Sequence, residues 1–222
     1  YNTTTQCFEA WNGTTWVAFG CIGSEPFECG TSTVTFTYNG VEVIYGTVVG
    51  QNNTCWLDRN LGASQVAISS TDANAYGDLY QWGRATDGHE SRTSGTTATL
   101  ATSDTPGHGN FITTVSSPYD WRSPQNDNLW QGVSGTNNPC PSGYRLPTAA
   151  ELEEERLSWS SNNAAGAFAS PLKLPVAGDR DSSNGKLHGV GSGGHYWSST
   201  VDGTFSRLLY FGSSNALMYS IN

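Results

Sequence analysis

The stretch NPCPSGYRLPTAAEL, Asn138 to Leu152, decides how this chain is read. Pro139, Pro141 and Pro147 each lack a backbone donor and fix φ, so no regular element runs through its first part. Gly143 permits a turn, and Leu146 is an apolar plug ahead of Pro147. Behind that proline, Thr148-Ala149-Ala150-Glu151 has the S/T-x-x-E form of a capping box, in which hydroxyl and carboxylate satisfy free backbone N–H groups at a helix start. A helix over Thr148–Trp159 follows, with Leu152 and Leu157 facing a core. Glu153, Glu154 and Glu155 are expected to face water as a solvated face, not as a metal site.

Outward from this helix the pattern is strand and loop. Toward the N-terminus, Thr33 to Val49 alternates through Val34, Phe36, Tyr38, Val41, Val43 and Tyr45 around Asn39-Gly40, a dipeptide suited to the positive φ of a tight hairpin turn. Cys55 to Leu61 reads as a short strand, and Thr71-Asp72 as the cap of a brief helix. The long segment Ala85 to Asn138 is rich in Gly, Ser, Thr, Asn and Pro, with Phe111, Tyr119, Trp121 and Trp130 as apolar plugs that pin it down. Beyond the helix, Leu172–Ala177, His195–Thr200 and Arg207–Phe211 read as strands. The fold class expected is α+β, loop-rich with little helix.

Composition narrows the function. The 222 residues suffice for one large domain, and the 10 basic against 19 acidic residues give a net charge of −9 without any Lys/Arg cluster. The counterion-release term behind nucleic-acid affinity has nothing to act through, so no nucleic-acid partner is expected. Apolar runs are too short to span a bilayer, and Tyr1 does not open a signal sequence, which reads as a mature or trimmed soluble piece. Cys7, Cys21, Cys29, Cys55 and Cys140 fit neither a CxxC pair nor a zinc pattern. Disulfides, of open pairing and with one thiol left over, point to an oxidising, extracytoplasmic setting. Residues 1–32 read as a cysteine-bearing extension.

Five motifs in order carry a resemblance: CWLDRNLGA (Cys55 to Ala63), AYGDLYQWGR (Ala75 to Arg84), the Asn138–Leu152 stretch, LPVAGDRD (Leu174 to Asp181) and GGHYWSST (Gly193 to Thr200). Together they resemble the Fibrobacter succinogenes major paralogous domain, in the formylglycine-generating-enzyme-like branch of the C-type lectin fold. The resemblance covers Val34 to Asn222 and implies a C-type-lectin-like domain over 33–222. That family continues with a strand ending in Val-Arg-Cys, whose cysteine would be a natural partner for Cys140.

The tail after YWSST resembles the variable region of diversity-generating-retroelement proteins, here about 201–222. The resemblance implies a rewritten, ligand-contacting surface at Phe205, Leu208, Tyr210, Gly212, Leu217, Tyr219, Ser220, Ile221 and Asn222. Each of these residue types is reachable from an AAC codon by changing its first two bases. Strand alternation agrees: Leu209 and Phe211 share one face and should be core, which turns Leu208 and Tyr210 outward as contact residues. The implied partner is a protein or glycan ligand on a target surface.

Enzymatic readings find little support. The formylglycine-generating relatives use a cysteine pair late in the domain, and this sequence has no cysteine after Cys140. His89, His108, His188 and His195 lie outside any H-E-x-x-H or G-x-S-x-G element. Asp179, Arg180 and Asp181 offer oxygen ligands for calcium, but a turn with an internal ion pair explains them better, so no metal ligand is assigned. Gly189 to Gly194, GVGSGG, leads into a strand and not a helix, which leaves no phosphate cradle and no cofactor. The expectation is a ligand-binding protein, with a plain adhesive surface domain as the alternative.

Overall fold

The computed structural model describes residues 7–21 and 26–221, without the side chains of 7–9 and 18–21. It is mostly sheet and loop, with little helix. Of the N-terminal extension, 1–6 and 22–25 lie outside the described residues. Its remainder contains the hairpin of β1 (Cys7–Trp11) and β2 (Trp16–Cys21), closed by Trp11 opposite Trp16.

The expected hairpin forms from β3 (Thr33–Tyr38) and β4 (Val41–Val49). Asn39 and Gly40 both take positive φ, 48° and 77°, the geometry whose twist matches that of the flanking strands. β5 (Cys55–Leu57) completes a sheet of order β3-β4-β5 and stops short of the predicted Leu61. Beyond it the Asp58 carboxylate turns back to accept the Gly46 N–H. The helix expected after Asp72 is a single 3-10 turn, Ala73–Ala75, capped by the Asp72 carboxylate. β6 (Thr96–Thr97) and β7 (Phe111–Ile112) form a short parallel pair inside the long loop.

α1 (Ala149–Leu157) carries the predicted capping box, with Thr148 and Glu151 bonded reciprocally. Two details of its facing differ from expectation. Leu157 is 68% exposed, whereas Glu155 is 1% exposed. The reason is phase: Ala149, Leu152 and Glu155 recur every third residue on one face, while Leu157 lies five residues past Leu152, about 140° around the helix. The buried Glu155 carboxylate accepts the Gln51 N–H and so caps the turn leading into β5. α2 (Ala164–Ala169), capped by Asn163, is a short helix that the sequence reading does not include.

Leu172–Ala177 is not a strand, although Leu172, Leu174, Val176 and Ala177 are buried. Pro171 and Pro175 lack donors and Lys173 has φ 48°, so no ladder can form there. Then come β8 (Asp179–Arg180), β9 (Leu187–His188), β10 (Gly194–Asp202), β11 (Phe205–Phe211) and β12 (Ala216–Ile221). The last three form an antiparallel sheet with β11 in the centre.

Two cores hold these layers. In the first, Leu152 and Trp159 pack with Leu172, Leu174, Val176, Leu209, Phe211 and Ala216. In the second, Trp82, Ile112, Trp121, Leu129 and Trp130 fill the long loop. Indole N–H groups secure it: Trp121 donates to Trp82 O, Trp130 to Arg84 O, Trp82 to Ser198 O and Trp197 to Tyr80 O. Phe111, Trp121 and Trp130 are the expected plugs, but Tyr119 is 43% exposed and plugs nothing. Among the described residues no helix is long and apolar enough to cross a membrane.

Candidate functional site

The β10-β11-β12 sheet has one face on the first core and one face away from it. On β11, Leu209 and Phe211 turn into the core, joined by Ala216 and Met218 of β12 and Tyr196 of β10. Alternation sends Leu208 and Tyr210 to the other face. Their ladder partners follow: Leu208 stands between Trp197 and Tyr219, and Tyr210 between His195 and Leu217. Ser206 opposite Ile221 extends this face along the strands.

A groove of about 870 Å³ is lined by five of the predicted contact residues, Leu208, Tyr210, Leu217, Tyr219 and Ile221. Leu217, Tyr219 and Ile221 are exposed, at 37%, 52% and 41%. Tyr210 is half-buried. Leu208 is not the exposed contact expected, being 3% exposed. It faces away from the first core as its alternation requires, but it sits on the central strand with the ladder partners Trp197 and Tyr219 on either side.

The other predicted positions do not join this group. Gly212 is buried in the turn between β11 and β12, where its N–H donates to Asn215 O and its carbonyl accepts from Ala164. A side chain there would meet the Tyr210 hydroxyl at 2.7 Å, so Gly212 gives Tyr210 its room. Phe205 and Ser220 belong to the opposite face by alternation. Phe205 is exposed at the strand start, and Ser220 Oγ lies 3.4 Å from the Asp202 carboxylate. Asn222 lies outside the described residues.

Several groove residues are not among the predicted contact positions: Trp56, Tyr144, Arg145, Asp179 and His195. They come from segments far apart in the chain, and each lies within one of four of the motifs quoted for the resemblance, Cys55–Ala63, Asn138–Leu152, Leu174–Asp181 and Gly193–Thr200. Arg145 is held by a paired contact to Glu151, at 2.9 and 2.7 Å, which keeps the Glu151 carboxyl down at about 2. Cys140 also lines the groove, and burial pushes its thiol up to about 12. Such a thiol stays protonated and is a poor nucleophile.

Among the described residues, Asp87, His89 and Glu90 form a group of three ligand-capable side chains within mutual reach. Their hydrogen bonds oppose a metal. His89 Nε2 accepts the Gln81 N–H at 3.0 Å, which leaves the proton of the neutral ring on Nδ1, 2.7 Å from Asp87 Oδ1. A protonated nitrogen cannot ligate. Fully buried Arg84 takes the other Asp87 oxygen at 2.8 Å and also donates to Gln81, His108 O and Asn110 O. The cluster is structural and ties the long loop to Gln81. Arg180 does not make the internal ion pair expected with its neighbours. It donates instead to Ser91 O, Ser94 and Gly185 O and lies 4.4 Å over Phe111, while Asp181 accepts from Ser183.

Comparison with family models, with curated proteins and with solved structures returns no match to this chain.

Proposed function

We propose that this is an extracytoplasmic ligand-recognition protein on a C-type-lectin-like scaffold, whose β11–β12 face is a diversified binding surface of the retroelement type. The reading makes it a binder and not an enzyme. The observation that carries it is the alternate exposure along one edge strand: Leu217, Tyr219 and Ile221 all face away from the core, all exposed, and all line the groove. Their burial is not needed by either core, and contiguous exposed apolar side chains on a rigid sheet suit a contact surface. Tyr210 and Tyr219 are the natural anchors, since such rings cover area at low entropic cost. The Cys29–Cys55 disulfide supports an oxidising location.

The test is genomic and biochemical. We expect an imperfect copy of the DNA encoding residues 201–222 beside a reverse-transcriptase gene, its mismatches confined to adenines of the copy. Related chains should then vary at Tyr210, Leu217, Tyr219 and Ile221 and keep Leu209 and Phe211. Finding no repeat, with the face unchanged between related chains, would overturn the diversified reading in favour of an adhesive domain.

A further inference from the structure

Asp179, His188 and His195 are brought together by backbone pairing, not by chance contact. Asp179 on β8 is the ladder partner of His188 on β9. The preceding residue, Gly178, bridges Gly194, and Gly178 N donates to Gly193 O at 2.8 Å, which sets His195 alongside Asp179 from the other side. Three neighbouring strands thus each contribute one side chain at adjacent positions.

Both imidazoles address one atom. His188 Nδ1 lies 3.2 Å and His195 Nδ1 3.5 Å from the same oxygen, Asp179 Oδ1. A hydrogen bond accounts for His188, but among the described residues nothing bonded to its Nε2 fixes the proton on Nδ1, as the Gln81 N–H does for His89, so this exposed ring can present a bare Nδ1. A hydrogen bond does not account for His195, whose Nδ1 is buried with no hydrogen-bond partner. Among the described residues the only ion pairs of this carboxylate are those to the two histidines, and Arg180 donates instead to Ser91 and Ser94 and lies over Phe111.

Zinc binds imidazole and carboxylate at about 2.0–2.2 Å, and at the tetrahedral angle two such donors stand about 3.3–3.5 Å apart. The two observed separations match two edges of that shell. The third edge, between the histidines, is open, since the three donor atoms do not all lie within 4.8 Å of one another. His188 has the freedom to close it, with a side chain 77% exposed, while His195 and Asp179 are the more enclosed at 25% and 34%.

We propose that Asp179, His188 and His195 form a binding site for a zinc-class divalent ion, with a fourth position open to solvent or to a bound ligand. Two nitrogens and one carboxylate favour zinc, nickel or copper over calcium and magnesium, which take oxygen shells. The site adjoins the recognition face, because the His195 ring packs against Tyr210 at 5.1 Å. It stands independently of that reading, as it needs only these three residues.

The experiment is calorimetric titration of zinc sulfate into the protein, repeated with His188→Ala, His195→Ala, Asp179→Asn and the control His108→Ala. One saturable equivalent is expected, weakened at least tenfold in each of the three site variants and unchanged in the control. Cobalt(II) in place of zinc should give the intense visible bands of a tetrahedral site, lost in His188→Ala. That variant alters an exposed side chain and keeps the fold, so a folding defect in His195→Ala leaves the question decidable. Absence of saturable zinc binding, or zinc affinity in His188→Ala within twofold of the parent, would overturn the assignment. So would calcium binding at this carboxylate in preference to zinc.

Discussion

Leu208 and Tyr219 are direct cross-strand partners on one face of the C-terminal sheet, yet Leu208 is 3% exposed and Tyr219 52%. Position across the sheet decides this, with β11 central and β12 at the edge. Cutting back Leu208 to Ala should therefore cost about 2–5 kcal/mol, as a buried leucine does when it leaves a cavity. Tyr219→Ala should stay within about 0.5 kcal/mol, as exposed changes do. Thermal melts of the two variants check this, and equal losses would mean that Tyr219 is core.

Gly194 opens β10 against the ring of Phe211, and a Cβ there would collide with that ring. Phe211 cannot yield, because it is fully buried, stacked on Tyr196 at 5.5 Å and edge-on to Trp159 at 5.6 Å. Gly194→Ala should cost about 1–3 kcal/mol through overpacking. The same change at Gly203, where nothing lies within 4 Å but φ is 65°, tests backbone strain alone. A larger loss at Gly203 than at Gly194 would contradict the packing account.

What could be read from the sequence was what local chemistry settles. Asn39-Gly40 needs only its own φ values to make the hairpin turn, and Thr148 needs only Glu151 to start α1. The apolar run Leu172–Ala177 is buried as its composition suggests, but its prolines deny it a ladder, and hydrophobicity alone does not carry that information. Leu208 was legible as to face and not as to exposure, because exposure depends on which strand lies at the sheet edge. Glu155 was misread because its partner, the Gln51 N–H, comes from a distant turn. The meeting of Asp179, His188 and His195 likewise depends on two backbone bridges between separate loops.

The Cys29–Cys55 disulfide closes a loop of sequence separation 26 and ties the segment ahead of β3 to β5. Reducing it should lower stability by about 2–4 kcal/mol. Cys140 gives the internal comparison: its half-buried thiol, held protonated, should alkylate slowly in the native protein and faster once the chain is unfolded. Rapid native labelling of Cys140 would show that the groove around it is open to reagent.

Two carboxyl groups should shape the acid profile in opposite directions. Glu151 is held down at about 2, from an ordinary 4.5, first by Arg145 and then by the Thr148 cap. Its contribution is present above pH 4.5 and is lost as the pH falls toward 2. Asp120 is pushed the other way, from 3.8 up to about 6, by burial in the second core's loop and by nearby Asp127. Its proton uptake supports the fold fully below 3.8, and that support is lost as the pH rises through about 6. For these two groups together, stability should peak between about pH 4 and 5. Asp120→Asn keeps an oxygen to accept the Arg122 N–H, now at 2.7 Å, and carries no charge to desolvate. It should be more stable than the parent at pH 7 and flatten the decline between pH 4 and 6. Glu151→Gln should cost about 1–2 kcal/mol at pH 7 through the weakened cap and the lost Arg145 pair, and flatten the limb below pH 4.5. Melting temperatures from pH 2 to 8 for the parent and both variants read out the two limbs separately. If Asp120→Asn left the profile between pH 4 and 6 unchanged, its carboxyl would be titrating as a solvated group and the burial argument for that loop would fail.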